Sequence, residues 1–374
     1  MDAAIRPHCT ELLLQQNCLP INPKVRIVGA EEVVTVTDEL GNDYDVVVAG
    51  GGAAGLNGAL MLARSRRSVV VIDAGHPRNA PAEGVHGLLA RDGMPPAELL
   101  ATGRAEVRRY GGRVVSGEIT GAVRDGDRFT ITLADGRAVR ARRLLVTTGL
   151  TDELPAIPGL RERWGRDVLH CPYCHGWEVR DRAIAVLSRG PISVHQVQLF
   201  RQLSDDVVYF THDQPDPTPE VAQRLAARGV RVVPGEVAGI EITDDRITGI
   251  RLADGTVVAR EVVAVGTRMV ARSGFLAGLG LADTEHPAGF GRYIPCDTTG
   301  RTEVPGVWAA GNVTDLSAQV GAASAAGAMA GAQINADLVE EEFDTAVAAA
   351  RDGFAGAAEA ELAQSVNGAR GHGL

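Results

Sequence analysis

The apolar run Val46-Val47-Val48-Ala49 passes straight into Gly50-Gly51-Gly52-Ala53-Ala54-Gly55, a glycine pattern that alone is often only a turn and gains meaning from what flanks it. Asp45 to Ala49 reads as a short buried strand, and the glycine loop opens a helix running through Leu60 to Arg64. In G-x-G-x-x-G, Gly50 makes the tight turn, Gly52 lets the backbone approach a pyrophosphate, and Gly55 lets helix and strand pack closely. The helix N-terminus at Ala53 and Ala54 then holds the phosphate charge. A second apolar run, Val69 to Ile72, ends in Asp73, 23 positions after Gly50. An acid about 20 residues on is placed to bind ribose hydroxyls. Strand, helix and Asp73 in register predict a dinucleotide site.

A second motif carries chemistry. In Cys171-Pro172-Tyr173-Cys174-His175-Gly176-Trp177 two cysteines stand three apart. A Cys-x-x-Cys pair can close a reversible disulfide and lowers the pKa of one thiol, which is what thiol-disulfide exchange requires. Zinc is the competing reading, but it needs a second pair, and only Cys9 and Cys18 offer one. No metal is expected. Cys296 has no partner in sequence and reads as inert.

At 374 residues the chain is too long for one compact core. A net charge of −10 argues against a nucleic-acid partner or a polybasic membrane surface. No stretch approaches the roughly 18 apolar residues of a membrane helix. The first twenty residues lack the basic start and cleavage site of a secretory signal, so a cytoplasmic location is expected, where Cys-x-x-Cys is more plausibly catalytic than structural.

The rest alternates strand and helix. Residues 1–44 form an extension in which Val25 to Thr37 alternates like a strand. Hairpins are predicted at Phe129–Leu133 and Ala138–Ala141 around Asp135-Gly136, and at Ile247–Leu252 and Val257–Ala259 around Asp254-Gly255. A buried strand runs from Leu144 to Thr148. The proline-rich Leu154 to Gly159 marks a domain boundary. A second Rossmann-like unit follows, with strand Ala183–Leu187, helix Val194–Gln202 and strand Val207–Phe210, and the chain crosses back between Gly266 and Ser273. A small-residue helix is expected from Leu316 to about Glu341, its Ala and Gly repeats reflecting tight packing, and the last residues, 367–374, are expected to be disordered. The expected fold is α/β, with two Rossmann-like, three-layer ββα domains, the second inserted in the first. Residues 45–156 and 269–345 make the first, residues 157–268 the second, and 346–374 a tail.

The order of these motifs resembles the thioredoxin reductase family of flavoproteins. The resemblance covers about residues 45 to 345 and rests on the Gly50–Gly55 loop, Thr147-Thr148-Gly149, the cysteine pair, and Ala310-Gly311-Asn312 before the last helix. It implies FAD as cofactor, held by the first and last segments, with Thr148, Gly149, Gly311, Asn312 and Gln319 joining Gly50, Gly52, Ala53, Ala54, Gly55 and Asp73. It also implies NADPH in the middle domain, and a homodimer.

Two departures qualify it. Where NADPH-using members carry Gly-x-Gly-x-x-Ala, this chain has Ser188-Arg189-Gly190-Pro191-Ile192-Ser193, and Pro191 removes an amide that would bind phosphate. Where they carry an arginine-rich stretch for the 2′-phosphate, it has Thr211-His212-Asp213-Gln214-Pro215. The middle domain looks like a Rossmann unit that has lost its nucleotide. The second departure is His175 directly after the second cysteine, where typical members have an acid, with His170 directly before the first. Cys-x-x-Cys-His-Gly resembles the FAD-dependent dithiol oxidases of the holomycin and gliotoxin types, which close disulfides in small molecules and pass the electrons to oxygen.

That resemblance implies that a small-molecule dithiol attacks Cys171, that Cys174 faces the flavin, and that His170 or His175 is the base. Each histidine also has an ordinary reading as a buried or surface residue. Asp315 reads as the acid that orients such a histidine, or as a helix N-cap with Thr314 as its rival. The alternatives are a thioredoxin-disulfide reductase fed by NADPH or ferredoxin, with a thioredoxin-like protein as partner, and a noncatalytic protein that binds flavin or dithiol.

Overall fold

The computed structural model describes residues 38–190 and 192–368. The strand expected at Val25–Thr37, Cys9, Cys18 and Pro191 lie outside the described residues.

β1 (Asp43–Ala49), α1 (Ala53–Arg64) and β2 (Val69–Asp73) follow one another, with β1 and β2 parallel and Val46 opposite Val69. Val46 to Ala49 are fully buried, as an unbroken apolar strand must be when both faces of its sheet are covered. α2 (Pro96–Arg109) leads to β3 (Arg113–Ser116) beside β2. β4 (Ile119–Asp125), β5 (Arg128–Leu133) and β6 (Ala138–Val146) form an antiparallel meander, and Gly136 turns the last hairpin at φ +86°. β6 also lies parallel to β1, giving the order β3-β2-β1-β6-β5-β4.

β7 (Leu150–Glu153) leaves this sheet, and β16 (Arg268–Ala271) returns antiparallel to it, Asp152 opposite Met269. Between them lie α3 (Leu160–Arg163), β8 (Val168–Leu169), α4 (Pro172–His175), β9 (Ile184–Leu187), α5 (Ile192–Phe200), β10 (Val207–Phe210), α6 (Pro219–Ala227), β11 (Arg231–Val233) and β15 (Val262–Val265). These strands make a parallel sheet in the order β11-β10-β9-β15-β8. Its apolar residues Leu187 and Val263 share a core with Ile240 and Ile250 of a separate antiparallel sheet, β12 (Val237–Thr243), β13 (Arg246–Leu252) and β14 (Val257–Val258). Arg163 clamps the two layers. It donates to both oxygens of the buried Asp167 at 2.7 and 2.6 Å, and Asp167 also accepts from the Ile247 amide at 3.3 Å.

β17 (Thr284–Glu285) and β18 (Gly291–Tyr293) extend the connecting ribbon. β19 (Val307–Ala309) then pairs with the end of β6, Ala309 opposite Val146, so the chain's last strand completes the first sheet.

α7 (Val320–Gly368) starts later and runs further than the helix expected at Leu316–Glu341, continuing through most of the segment read as a tail. Its reach has two causes. Alanine-rich sequence favours helix, and Asp337, Glu341 and Glu342 pair with Arg143, Arg142 and Arg67 on the first domain. Its small residues let it press on α1, where a Cβ at Gly327 would lie 1.9 Å from the Ala54 carbonyl oxygen.

Candidate active site

The glycine loop is built for close approach. Gly50 turns at φ +103°, and a Cβ on Gly55 would lie 1.9 Å from the Gly50 carbonyl oxygen and 2.6 Å from Thr147 Oγ1. Thr147 Oγ1 donates to the Ala49 and Gly50 carbonyls, each at 2.9 Å, and so ties β6 to the loop. Gly52 is the N-cap of α1 in extended backbone, with no side-chain cap and no acid in the first turn. The first-turn amides are therefore left for an anion. The Asp73 carboxylate stands beside the loop, 2.9 Å from where a Cβ on Gly51 would be.

These residues line one wall of a cavity of about 1290 Å³ that reaches Cys171 and Cys174. Pockets for single drug-sized ligands run to about 1,000 Å³. Gly50, Gly52, Ala53, Ala54, Asp73, Thr148, Gly149, Asn312 and Gln319 all face it. Gly55 and Gly311 do not. They lie beneath, where α1 meets its neighbours, and a Cβ on Gly311 would be 2.8 Å from that of Ala54. A cavity of this size, lined by uncapped amides and a carboxylate, fits a dinucleotide such as FAD.

The opposite wall carries the disulfide. Cys171 is the N-cap of α4 and bonded to Cys174, with their Cα atoms 5.3 Å apart. Pro172 at the first helical position suits the turn, because its missing amide would be unpaired there anyway. The Cys174 and His175 amides both donate to the Cys171 carbonyl at 3.2 Å. Gly176 permits the tight exit, since a Cβ there would meet Leu203 and the Pro172 carbonyl oxygen, each at 2.3 Å.

Both histidines line the cavity. His170 Nδ1 lies 3.3 Å from the Val265 carbonyl oxygen. A carbonyl can only accept, so Nδ1 carries the proton and Nε2 keeps the lone pair. Gln196 Nε2 donates to the His170 carbonyl at 2.6 Å. Burial first, and then the Arg78 charge, push His170 below its ordinary value of 6.5, against Asp152 and the Val265 hydrogen bond. Burial likewise pushes His175 down, with His86 adding to it and Glu178 opposing. Both imidazoles are thus neutral at pH 7, the form that takes a proton. His175 Nε2 is buried without a hydrogen-bond partner, an uncommon expense that suits a proton acceptor.

Asp315 is not brought to either histidine. It is exposed, its Oδ1 accepts from the Ser317 amide at 3.0 Å and hydroxyl at 2.7 Å, and it does not line the cavity. A carboxylate two residues from a hydroxyl and an amide satisfies them locally. Asn312 lines the cavity with an amide that donates to the carbonyls of Asp315 at 3.1 Å and Ala318 at 2.8 Å, which fixes the turn before α7. The acids near the histidines are others. Asp152 faces the cavity with Arg78, and Glu178 accompanies His175, with His86 Nε2 3.4 Å from its Oε1. Sequence reasoning missed Arg78, His86, Asp152 and Glu178, because nothing in their spacing places them together.

The turn after β9 is filled by its own side chains. The Arg189 amide donates to Ser193 Oγ at 2.8 Å, the Gly190 amide to Ser188 Oγ at 3.5 Å, and Tyr209 OH to Ser188 Oγ at 2.7 Å. After β10, Asp213 lies 3.9 Å from Arg189 Nη1, and hydrogen bonding from Gln214 holds its carboxyl below the usual range. The loop thus holds two hydroxyl-bonded amides and one arginine facing a carboxylate. Among the described residues no cluster of three or more His, Cys, Asp or Glu could hold a metal ion, and no helix is long and apolar enough to cross a membrane. Cys296 is half-buried, and burial pushes its thiol up.

Residues 44–351, which carry the glycine loop and the disulfide, are matched by a family model, pyridine nucleotide-disulphide oxidoreductase. The chain belongs to this family. Thioredoxin reductase tcpT of Claviceps purpurea is 31% identical over 79% of this chain and 96% of its own length. Thioredoxin reductase sirT of Leptosphaeria maculans is 30% identical over 78% and 93%. Among solved structures, HlmI is 48% identical over 85% of this chain and 99% of its own, with a TM-score of 0.78. Thioredoxin reductase TrxB of Bacillus anthracis is 26% identical over 79% and 99%, with a TM-score of 0.74. This member of the family is an oxidoreductase of two Rossmann-like domains, related to enzymes of disulfide chemistry.

Proposed function

We propose that this protein is an FAD-dependent dithiol oxidase, which closes a disulfide in a small-molecule dithiol through Cys171 and Cys174 and gives the electrons to oxygen. The single observation that carries the direction is the turn after β9. Its Arg189 and Gly190 amides bond to Ser193 and Ser188, and Asp213 faces Arg189, which supports a reading in which electrons enter with the dithiol and not from a nicotinamide nucleotide.

Gly50 to Gly52, Ala53, Ala54, Asp73, Thr148, Gly149, Asn312 and Gln319 would hold FAD in the cavity. His175 or His170, neutral at pH 7, takes the proton from the first substrate thiol. The thiolate attacks Cys171 Sγ, the Cys171–Cys174 bond breaks, and Cys174 leaves as thiolate. The second substrate thiol gives up its proton and attacks the substrate sulfur of the mixed disulfide. That closes the product disulfide and releases Cys171, so the protein now carries two electrons more and the substrate two fewer. FAD held by these residues would supply the two-electron acceptor for this dithiol, with oxygen as the final acceptor and hydrogen peroxide as its product.

A second reading, a thioredoxin-disulfide reductase, is favoured by the relatives' names and by the exposed Tyr173 and Trp177 beside the disulfide, which offer a protein partner a surface. An anaerobic titration separates the two. The oxidase reading expects NADPH and NADH to leave the yellow protein oxidised, a small dithiol to bleach it, and air to restore the colour with one peroxide per dithiol. Rapid bleaching by NADPH would overturn it.

A further inference from the structure

The chain passes from the first domain to the inserted one at β7 and returns at β16, which pair with each other in the four-stranded sheet β17-β18-β16-β7. Three chain segments converge on one carboxylate within it. Arg78, from the segment between β2 and α2, donates to Asp152 through Nε at 2.7 Å and Nη2 at 2.8 Å. Thr267, one residue before β16, donates to the same carboxylate through Oγ1 at 2.6 Å. The Asp152 side chain is 6% exposed. Burial pushes its carboxyl up, but the Arg78 hydrogen bonds and charge and the Thr267 hydroxyl outweigh this, so it stays ionised. A bidentate arginine fixes direction as well as distance.

The same 74–95 segment touches the inserted domain twice more. Pro81 packs where Gly165, at φ +80°, leaves room, with 2.5 Å from its Cβ to the position a Cβ would take. His86 reaches Glu178, three residues past His175. From Asp152 the contacts run on to the disulfide. Thr267 stands two residues after Val265, whose carbonyl faces His170 Nδ1, and His170 precedes Cys171.

We propose that Asp152 is a positioning residue which, through Arg78 and Thr267, sets the angle at which the inserted domain presents Cys171 and Cys174 to the cofactor cavity. This rests on the dithiol oxidase reading, in which the reduced pair must give two electrons to FAD across that cavity. A misplacement of about 1 Å can lower a rate roughly hundredfold. The opening of the disulfide by a soluble thiol needs no such alignment. The two steps therefore separate the role from general destabilisation.

The test uses FAD-loaded enzyme and dithiothreitol without oxygen. Opening of the Cys171–Cys174 bond is followed by quenched alkylation and mass spectrometry, flavin reduction by absorbance, and amide exchange at 150–153 and 268–271 without substrate. Asp152→Asn is expected to slow flavin reduction roughly ten- to hundredfold, leave disulfide opening within about twofold, and speed exchange in the ribbon but not in β1. The double variant Arg78→Met with Asp152→Leu leaves no unpaired charge. It is expected to regain the melting temperature while flavin reduction stays slow. If Asp152→Asn does not fold, Thr267→Val is expected to slow flavin reduction about fivefold by loss of one donor, of order 1 kcal/mol. Flavin reduction at the wild-type rate in the folded variants, or recovery of rate together with melting temperature in the double variant, would overturn the proposal. If dithiols open the wild-type disulfide but never bleach its flavin, the oxidase reading fails, and the exchange in the ribbon alone decides the clamp: faster exchange upholds it, unchanged exchange ends it.

Discussion

Replacing Gly52 by alanine and, separately, Gly55 by alanine divides what the glycine loop does for the fold from what it does for a cofactor. A Cβ on Gly55 would stand 1.9 Å from the Gly50 carbonyl oxygen, so the contact must open by about 1 Å to reach the 3.0 Å that real Cβ atoms keep. The Thr147 side chain blocks the other escape, because its hydroxyl already holds the Ala49 and Gly50 carbonyls. Overpacking of this kind costs about 1–3 kcal/mol, or roughly 2–12 °C of melting temperature at about 2–4 °C per kcal/mol. Gly52 is different. Nothing lies within 4 Å of its Cβ position, and its φ of −77° suits any residue. Alanine there gives up a slightly better N-cap, about 0.5–1 kcal/mol, and gains back a similar amount by stiffening the unfolded chain. The apoprotein should melt within about 2 °C of wild type. Its FAD should nevertheless be lost, because the methyl group occupies the space a pyrophosphate needs beside the first-turn amides. Loss of one charge-assisted hydrogen bond, about 1.5–3 kcal/mol, weakens binding roughly ten- to hundredfold. Flavin content per chain and calorimetry of the apoprotein measure both effects. A Gly52→Ala protein that keeps wild-type FAD affinity would refute the placement of the cofactor on α1.

Two further predictions concern the thiols and the base. Cys174→Ser should retain FAD at wild-type stoichiometry, while a small dithiol no longer bleaches it; bleaching by dithiol in this variant would remove the disulfide from the electron path. Burial lowers His170 and His175 below 6.5, so the proton-accepting form persists as pH falls to 6.5 and is lost only below it. The ratio of kcat/KM between wild type and His175→Asn should be flat above pH 6.5 and decline beneath it, and a midpoint above 6.5 would refute the buried neutral base. The sign for stability is the same: a histidine with a lowered folded pKa favours the fold above 6.5, and that contribution fades as pH drops through the folded value.

Where one local pattern sufficed, the fold was legible. β1, the glycine loop and α1 follow from a strand that ends in a turn only glycine can make, and both predicted hairpins turn at Gly136 and Gly255, each with positive φ. The cysteine motif and its histidines were legible for the same reason, since chemistry and geometry sit within six residues. The 74–95 segment was not. It has no period to read, and it owes its shape to contacts with residues that lie far off in sequence, Arg78 with Asp152, His86 with Glu178 and Pro81 with Gly165. Asp315 failed as an orienting acid because a nearer claim, the Ser317 amide and hydroxyl, satisfied it first. The start of α7 shifted for a related reason, because the Asn312 amide gathers the carbonyls of Asp315 and Ala318 and delays the helix to Val320.

The filled turn after β9 and the clamp at Asp152 bear on each other. An enzyme that must present its disulfide turn to one electron source and then to another needs two arrangements of its domains, and contacts that favour one arrangement slow the exchange between them. A bidentate ion pair with a buried carboxylate is such a contact: breaking it leaves the Asp152 charge without its arginine. Where electrons arrive with the dithiol substrate itself and leave through the cofactor, one arrangement serves the whole cycle. In the proposed oxidase cycle, with the Arg189 and Gly190 amides bonded to Ser193 and Ser188, a joint pinned by Arg78, Asp152 and Thr267 would slow no step.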